Sequence, residues 1–320
     1  MPWFGSARRE SLPLSASLPA IEIEHCSRDG FPIPTYLTEG TVLKAACELT
    51  RGQAHRTEVM LKYAPKESVM GKQIVRETFI MDKIKPLSRQ SIVTPLFTVR
   101  TEENIGLGLE LVTGPTLLEP TFHANTLVRD VCQALTPIMD AVAALHSIGV
   151  AHCDLKPTRM HETNRGFVLL GFSHAWSEDL DQIGLSSRSE RSHCMGTLGY
   201  SPPEIRERLP IDPFKVDVYA LGTILGQQLT QKLGSSGPYL LSLLSPNKQE
   251  QDQLEFELDP NFVHLLKGML ASQASSRISM EDAAKQMTET CRAHVVPERR
   301  NSEQGNSDRH ENIHRQQRRR

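Results

Sequence analysis

Apolar and polar residues alternate in several segments between residues 35 and 112, which is the pattern of strands with one buried face. The predicted strands cover residues 35–41, 42–50, 56–63, 92–100 and 106–112. Between them, residues 68–84 carry apolar side chains at helical spacing, with charges on the opposite face. The pattern therefore predicts a small α+β unit with five antiparallel strands and one main helix.

Beyond the break at residues 113–115 (Thr-Gly-Pro), helical spacing dominates. The predicted helices cover residues 125–147, 216–229, 261–271 and 279–293. The first carries one continuous apolar stripe, and the second is apolar almost all round, so we expect it to be buried. One short strand is predicted at residues 167–170. The second unit is therefore mainly helical.

The two ends of the chain lack these patterns. Residues 1–30 are rich in Ser, Pro and Arg, and we interpret them as a loose extension. The last segment is rich in Arg and nearly free of large apolar residues, so we expect a disordered tail. Such a tail is either a solvated segment or a contact for an acidic partner. The predicted division is 1–30 extension, 31–112 first unit, 113–296 second unit and 297–320 tail.

Composition narrows the class of partner. The 320 residues carry a formal net charge of -2, which gives no bias toward nucleic acid or an anionic membrane. No run of apolar residues is long enough for a membrane span, and the first residues lack the apolar core of a signal peptide. We therefore expect protein partners, no nucleic acid and no membrane span.

The cysteines include no C-x-x-C pair, so we expect no zinc site. No other metal site is predicted either. They are Cys26, Cys47, Cys132, Cys153, Cys194 and Cys291. The simplest interpretation is six reduced, mostly buried thiols. An even number of cysteines would also allow disulfides if the protein is secreted.

Residues 152–159 read His-Cys-Asp-Leu-Lys-Pro-Thr-Arg, between a helix and a short strand. This stretch resembles the catalytic loop His-Arg-Asp-Leu-Lys-Pro-x-Asn of protein kinases, with Cys153 in place of Arg and Arg159 in place of Asn. Further motifs resemble those of the family in the same order, namely residues 59–62, 109–112, 171–173, 196–204 and 217–222. The resemblance covers residues 36–293 and implies a bilobal kinase-like fold, whose small and large lobes are the two predicted units.

The resemblance assigns roles to single residues. A nucleotide site would include Gly40, Lys62, Glu77, Glu110, Arg159 and Gly171. Lys62 with Glu77 would either grip phosphates or form an ordinary ion pair between helix and sheet. Asp154 would be either a catalytic base, with Lys156 beside it, or a buried acceptor for loop amides. Residues that hold the large lobe together in the family correspond to His152, Glu204, Asp217 and Arg277.

Several parts of the kinase machinery are replaced. Kinases hold magnesium with the Asp of D-F-G and the Asn of the catalytic loop, but here these positions are Gly171 and Arg159. Of the glycine-rich loop only Gly40 is present, and Glu39 adds a negative charge beside it. We therefore predict a pseudokinase that is not an enzyme and needs no cofactor. The alternatives are metal-free nucleotide binding with Arg159 as counter-charge, or residual activity as an atypical Ser/Thr kinase.

Residues 171–174 (Gly-Phe-Ser-His) resemble a G-F-x-H segment of rhoptry-type pseudokinases from Toxoplasma-like apicomplexan parasites. That resemblance implies a secreted scaffold in a parasitophorous vacuole or cyst wall. The alternative is a cytoplasmic allosteric partner of an active kinase. In an oxidising compartment, Cys153 and Cys194 could form a disulfide that fixes the activation segment, where kinases use a phosphate on that segment.

Overall fold

A computed structural model describes residues 18–33, 39–49, 56–87, 90–118, 127–183, 185, 196–230 and 259–295. A twisted sheet and one long helix form the N-terminal lobe, and helices dominate the C-terminal lobe. The sheet strands are β1 (Ala20–Ile21), β2 (Cys26–Arg28), β3 (Phe31–Pro32), β4 (Thr41–Cys47), β5 (Thr57–Pro65), β6 (Pro95–Arg100) and β7 (Asn104–Glu110). Their order is β1-β6-β7-β5-β4-β2-β3. The α+β bilobal fold predicted from the sequence is confirmed, with seven strands in this sheet where five were predicted.

β1 and β2 lie in the segment that we expected to be a loose extension, and β3 follows directly after it. β1 pairs in parallel with β6, and β2 pairs with both β3 and β4 in antiparallel register. A disulfide joins Cys26 to Cys47 at directly opposed positions of β2 and β4. Ile23 and Ile33 are buried beside the sheet, in a cluster that also contains Phe97. Within residues 18–30 the prediction of a loose extension is therefore wrong.

The main helix of the N-terminal lobe, α1 (Val69–Ile84), agrees with the predicted helix over residues 68–84. Ser68 caps it, since its side chain accepts a hydrogen bond from the amide of Gly71 at 2.9 Å. Residues such as Ile74 and Ile80 bury the apolar face of α1 against the sheet. This packing places Glu77 on the face of α1 that looks toward β5.

The C-terminal lobe consists mainly of helices. Its helices are α2 (Leu127–Ser147), α3 (Glu178–Gln182), α4 (Pro203–Arg206), α5 (Pro213–Thr230), α6 (Pro260–Met269) and α7 (Met280–Val295). The four long helices predicted for this half of the chain are confirmed. A disulfide between Cys132 and Cys291 joins α2 to α7. Ser279 and Asp282 form the N-terminal cap of α7, where the Asp282 amide donates to the Ser279 hydroxyl at 3.0 Å.

Four short strands lie next to the loop of residues 152–159 in this lobe. They are β8 (Val150–Ala151), β9 (Met160–Thr163), β10 (Gly166–Leu169) and β11 (Trp176–Ser177). β9 pairs with β10, and β8 pairs with β11. The lobes join where the Val93 amide donates to the Leu169 carbonyl at 3.1 Å. Residues 152–159 thus lie between two strand pairs and face the N-terminal lobe.

Some sequence predictions fall outside the described residues. These are residues 1–17 of the predicted extension, residues 35–38 of the predicted first strand, residues 186–195 of the activation segment with Cys194, and the tail from residue 297 onward. Within the described ranges, no helix has the length and apolar character needed to cross a membrane.

Four cysteines form the two disulfides, so the interpretation of six reduced thiols is wrong for them. Cys153 is a free, buried thiol, and its predicted bond to Cys194 is therefore not formed. The reason is the direction of its side chain, which packs among apolar residues including Trp176, Ile205 and Phe214.

Candidate functional site

A cavity of about 470 Å³ lies between the lobes and brings together four residues of the predicted nucleotide site. Lys62 and Glu77 line it from the N-terminal lobe, and Arg159 and Gly171 line it from the C-terminal lobe. Apolar side chains, among them Val42, Met60 and Leu170, complete the lining. The cavity therefore has an apolar part and a strongly charged part, an arrangement typical of ligand sites.

Lys62 and Glu77 form an ion pair at the back of this cavity. The Lys62 ammonium lies 2.7 Å and 2.6 Å from the two carboxylate oxygens of Glu77. The Glu77 side chain is 1 % exposed and that of Lys62 is 12 % exposed. Glu77 also accepts a hydrogen bond from the Phe172 amide at 3.2 Å. The pair therefore joins the sheet, α1 and the segment after Gly171.

Asp154 has both carboxylate oxygens occupied by side chains. Its Oδ1 accepts a hydrogen bond from the Thr197 hydroxyl at 2.6 Å. Its Oδ2 accepts from Arg159, at 3.0 Å from Nη2 and 3.3 Å from Nε. The Lys156 ammonium lies 3.4 Å from the same Oδ2 and donates to the Thr197 hydroxyl at 2.9 Å. The expectation that loop amides would bind this carboxylate is wrong, because hydroxyl, guanidinium and ammonium groups take that place.

Thr197 is a site residue that sequence reasoning did not single out. Its position in the Gly-Thr-x-x-Tyr motif was the available signal. A single hydroxyl here connects Lys156 to Asp154 and so fixes the end of the activation segment to the loop.

Asp154 remains ionised in this environment. Burial acts to raise the pKa of its carboxyl group, but the hydrogen bonds from Thr197 and Arg159 and the charges of Arg159 and Lys156 act against burial. Together they hold the pKa of Asp154 below its usual value. The carboxylate is therefore neutralised by cations of the protein itself.

Arg159 runs directly beneath Gly171. A Cβ atom at position 171 would lie 2.7 Å from Arg159 Cδ and 2.8 Å from its Nε and Nη1. Gly171 also has φ +88°, a left-handed conformation that favours glycine. The side chain of Arg159 thus fills the space in which a side chain at position 171 would begin.

These residues do not fit a magnesium ion. Magnesium takes oxygen ligands in near-ideal octahedral geometry, but Gly171 offers no side-chain ligand and Arg159 offers a cation. The oxygens of Asp154 are already bonded to other groups. Across the part of the chain that the structure describes, no group of three or more His, Cys, Asp or Glu residues could hold a metal.

Hydrogen bonds of the His152 and Asp217 side chains fix the backbone of the loop at residues 152–154. Asp217 accepts hydrogen bonds from the amides of His152 at 2.7 Å and Cys153 at 2.8 Å. The Asp154 amide donates to His152 Nδ1 at 3.2 Å, so the proton of the neutral ring lies on Nε2, which donates to the Leu170 carbonyl at 3.1 Å. Burial lowers the pKa of His152, which keeps the ring neutral.

Glu204 and Arg277 form a buried pair deeper in the lobe. Two parallel hydrogen bonds of 2.5 Å and 2.6 Å join the guanidinium to the carboxylate. Arg277 also donates to the carbonyls of Ala271, Ser272 and Lys215, and its side chain is 0 % exposed. The structure thus brings together both residues predicted to hold this lobe.

Two residues that were predicted to belong to the nucleotide site, Glu110 and Gly40, do not line the cavity. The side chain of Glu110 pairs with Arg165 and accepts a hydrogen bond from the Thr94 amide at 2.8 Å, so it does not line the cavity. Gly40 lies against α1, where an added Cβ would collide with Met70. Gly40 therefore contributes a close contact between the loop and the helix at the edge of the cavity.

Comparison with known proteins agrees with this geometry. Residues 39–288 match the protein kinase domain family. Sperm motility kinase Z of Mus musculus is 28 % identical over 289 residues, which cover 87 % of this chain and 54 % of that protein. Calcium/calmodulin-dependent protein kinase type 1B of Homo sapiens is 28 % identical over 195 residues, 61 % of this chain and 54 % of that protein.

Maternal embryonic leucine zipper kinase of Xenopus tropicalis is 25 % identical over 243 residues, 75 % of this chain and 35 % of that protein. The chain spans about half the length, or less, of these relatives. They give no support to the narrower rhoptry-type resemblance, which stays a prediction. The matched residues include both lobes and the whole cavity between them, and on this evidence the chain belongs to the protein kinase domain family.

Proposed function

We propose that this kinase domain is a pseudokinase, which binds protein partners and does not transfer phosphate. The observation that carries the proposal is the position of Arg159, whose guanidinium lies against Gly171 and is hydrogen-bonded to Asp154. In kinases the corresponding space belongs to magnesium and its two protein ligands.

Phosphoryl transfer depends on metal ions that bridge the phosphates and neutralise developing charge, a contribution of several kcal/mol. Each loss of about 1.4 kcal/mol lowers a rate about tenfold. Without either magnesium ligand, we expect transfer slower than in an active kinase by several powers of ten. The ion pair of Asp154 with Arg159 further restrains the carboxylate that would accept the substrate proton.

Two ion pairs that maintain the fold are present, which supports a binding role. Lys62 pairs with Glu77, and Arg277 pairs with Glu204, so both lobes have the architecture of a kinase without its metal site. A folded domain of this kind suits a scaffold or an allosteric partner of another protein.

We also propose that the protein is secreted. Disulfides form and persist in oxidising compartments, and the bonds Cys26–Cys47 and Cys132–Cys291 support a secreted protein. The resemblance of residues 171–174 to rhoptry-type pseudokinases suggests a parasitophorous vacuole or cyst wall as the compartment. A cytoplasmic partner of an active kinase is the alternative.

A second candidate is an atypical Ser/Thr kinase. It is favoured by the hydrogen-bonded set of Asp154, Lys156 and Thr197, and by relatives whose names describe kinases. In this case Asp154 would accept the proton of a substrate hydroxyl, and Lys156 would stabilise charge beside it.

A phosphoryl-transfer assay distinguishes the two. The full chain is incubated with labelled ATP and magnesium or manganese, and both autophosphorylation and transfer to a general acceptor protein are measured. The control is Lys62→Met, which removes the ammonium group that lines the cavity and pairs with Glu77. We expect no signal above that control, and transfer well above it would overturn the proposal. Affinity capture from the native source, with unfolded protein as control, would then identify the partner and its compartment.

A further inference from the structure

The two replacements in the metal site change its charge by the charge of one magnesium ion. A glycine at position 171 removes one negative charge from the D-F-G motif, and an arginine at position 159 adds one positive charge where the family has a neutral Asn. Together the site gains two positive unit charges. For a nucleotide without metal, these two replacements therefore supply the same additional positive charge that a magnesium ion supplies in other kinases.

The geometry leaves part of this charge available. Arg159 uses Nε and Nη2 for Asp154, and its Nη1 has no hydrogen-bond partner among the described residues. The side chain is 30 % exposed and lines the cavity together with Lys62. Guanidinium groups match the geometry of phosphate oxygens and remain charged at every physiological pH.

The rest of the cavity fits a larger ligand than a free anion. Val42, Met60 and Leu170 form apolar walls next to the cationic side chain of Arg159. A volume of about 470 Å³ is within the usual range for small-molecule sites. An organic ring would contact the apolar walls while a phosphate group reaches Arg159.

We propose that this cavity binds a nucleotide in its metal-free form, with the phosphates held by Arg159 in place of magnesium. The proposal deepens the proposed function, since it names a ligand for the cleft of a domain that performs no transfer. The two fail separately, because binding and transfer are measured separately.

Magnesium should oppose nucleotide binding at this site. The complex of ATP with magnesium carries two fewer negative charges than free ATP, and its metal would lie close to the fixed charge of Arg159. Like charges at short distance repel each other strongly in a partly buried site. Magnesium should therefore weaken binding of the nucleotide, whereas it strengthens binding to a site with the usual ligands.

Isothermal titration of the full chain with ATP tests this at constant ionic strength, once with EDTA and once with excess magnesium. We expect a dissociation constant at least about tenfold lower in EDTA, since about 1.4 kcal/mol corresponds to tenfold. Adenosine serves as a second probe and should bind more weakly than ATP in EDTA. Binding that requires magnesium, equal binding in both buffers, equally tight adenosine or no binding would each overturn the proposal.

Variants connect the effect to the residue. Arg159→Asn should abolish the preference for metal-free ATP, and Arg159→Lys should retain part of it. The matched control is Arg165→Gln, which removes another arginine–carboxylate pair, at Glu110 and outside the cavity. Circular dichroism and thermal unfolding confirm that each variant is folded. An unchanged preference in folded Arg159→Asn would show that another group holds the phosphates and would overturn the assignment.

Discussion

Arg159 and Gly171 occupy one shared space: a Cβ at position 171 would lie 2.7 Å from the Cδ of Arg159. The two residues stand twelve positions apart, at the two places where the kinase family has its magnesium ligands. Their replacements are therefore not independent changes. Once the arginine lies here, a side chain at position 171 has no room, and the glycine in turn allows the arginine to reach Asp154.

Gly171→Asp should destabilise the protein because it adds a side chain in that shared space. The left-handed backbone costs a non-glycine residue about 1–2 kcal/mol, and overpacking typically costs about 1–3 kcal/mol. We expect a loss of about 2–4 kcal/mol in the free energy of unfolding, measured by urea denaturation. Combining Gly171→Asp with Arg159→Asn should recover part of this loss. Additive effects of the two changes would contradict the shared space.

The sequence predicted the large elements because their burial is periodic. Helix α1 and the long helices of the C-terminal lobe were located from apolar spacing alone, and the order of motifs placed Lys62 opposite Glu77. Residues 18–33 were missed because their strands are only two or three residues long. Such short strands show no alternation, and their attachment depends on pairing with β4 and β6, which lie far along the chain.

The sequence predicted which residues belong to the site better than it predicted the contacts of their side chains. Motif spacing fixes where the backbone of Glu110 lies, but only the neighbouring Arg165 determines where its side chain turns. Likewise, the exchange at position 159 was visible in the sequence, but the bond from Arg159 to Asp154 requires the folded loop. Cys153 was paired with the wrong partner, since a sequence does not show that its thiol faces an apolar cluster.

The buried pair of Arg277 and Glu204 should be among the most sensitive points of the C-terminal lobe. Arg277→Met leaves the carboxylate of Glu204 buried without its partner, which typically costs about 3–5 kcal/mol. Denaturant unfolding of the variant should show this loss. Lys44→Met, which removes an exposed pair with Glu58, is the control and should cost less than about 1 kcal/mol. A similar small loss in Arg277→Met would contradict the structural role of the pair.

The disulfide assignment predicts which thiols react. In denaturant without reductant, an alkylating agent should leave Cys26, Cys47, Cys132 and Cys291 unmodified and should modify Cys153. In the folded protein Cys153 should react slowly, because burial raises the pKa of its thiol and blocks access. Mass spectrometry of the peptides measures each site. Alkylation of all six cysteines in unreduced protein would refute both bonds.

Removal of the Cys132–Cys291 bond should lower stability more than its local contacts suggest. The bond closes a loop between residues 159 positions apart, and a native disulfide typically contributes about 2–5 kcal/mol by restricting the unfolded chain. We expect a loss in that range for the double variant Cys132→Ala/Cys291→Ala in urea denaturation. If the wild-type protein under strong reductant unfolds at the same urea concentration as without it, the bond contributes nothing.

The neutral state of His152 predicts acid sensitivity above the range in which carboxylates titrate. Burial lowers the pKa of His152 in the folded protein, whereas the unfolded residue titrates near its ordinary value of about 6.5. Between these two pKa values the unfolded chain binds more protons, so the free energy of unfolding falls as the pH falls below about 6.5. Burial lowers the pKa of His174 as well, and it contributes in the same direction.

Urea denaturation at several pH values between about 7.5 and 5.5 measures this slope. His152→Gln keeps a donor and an acceptor for the Leu170 carbonyl and the Asp154 amide but has no proton to gain. We therefore expect the variant to be less stable at neutral pH and to lose less stability on acidification. His264→Gln, an exposed position on α6, is the matched control and should retain the wild-type slope. A wild-type slope in His152→Gln would mean that other groups cause the acid sensitivity, because the buried ring is the group whose protonation breaks a hydrogen bond to the Asp154 amide.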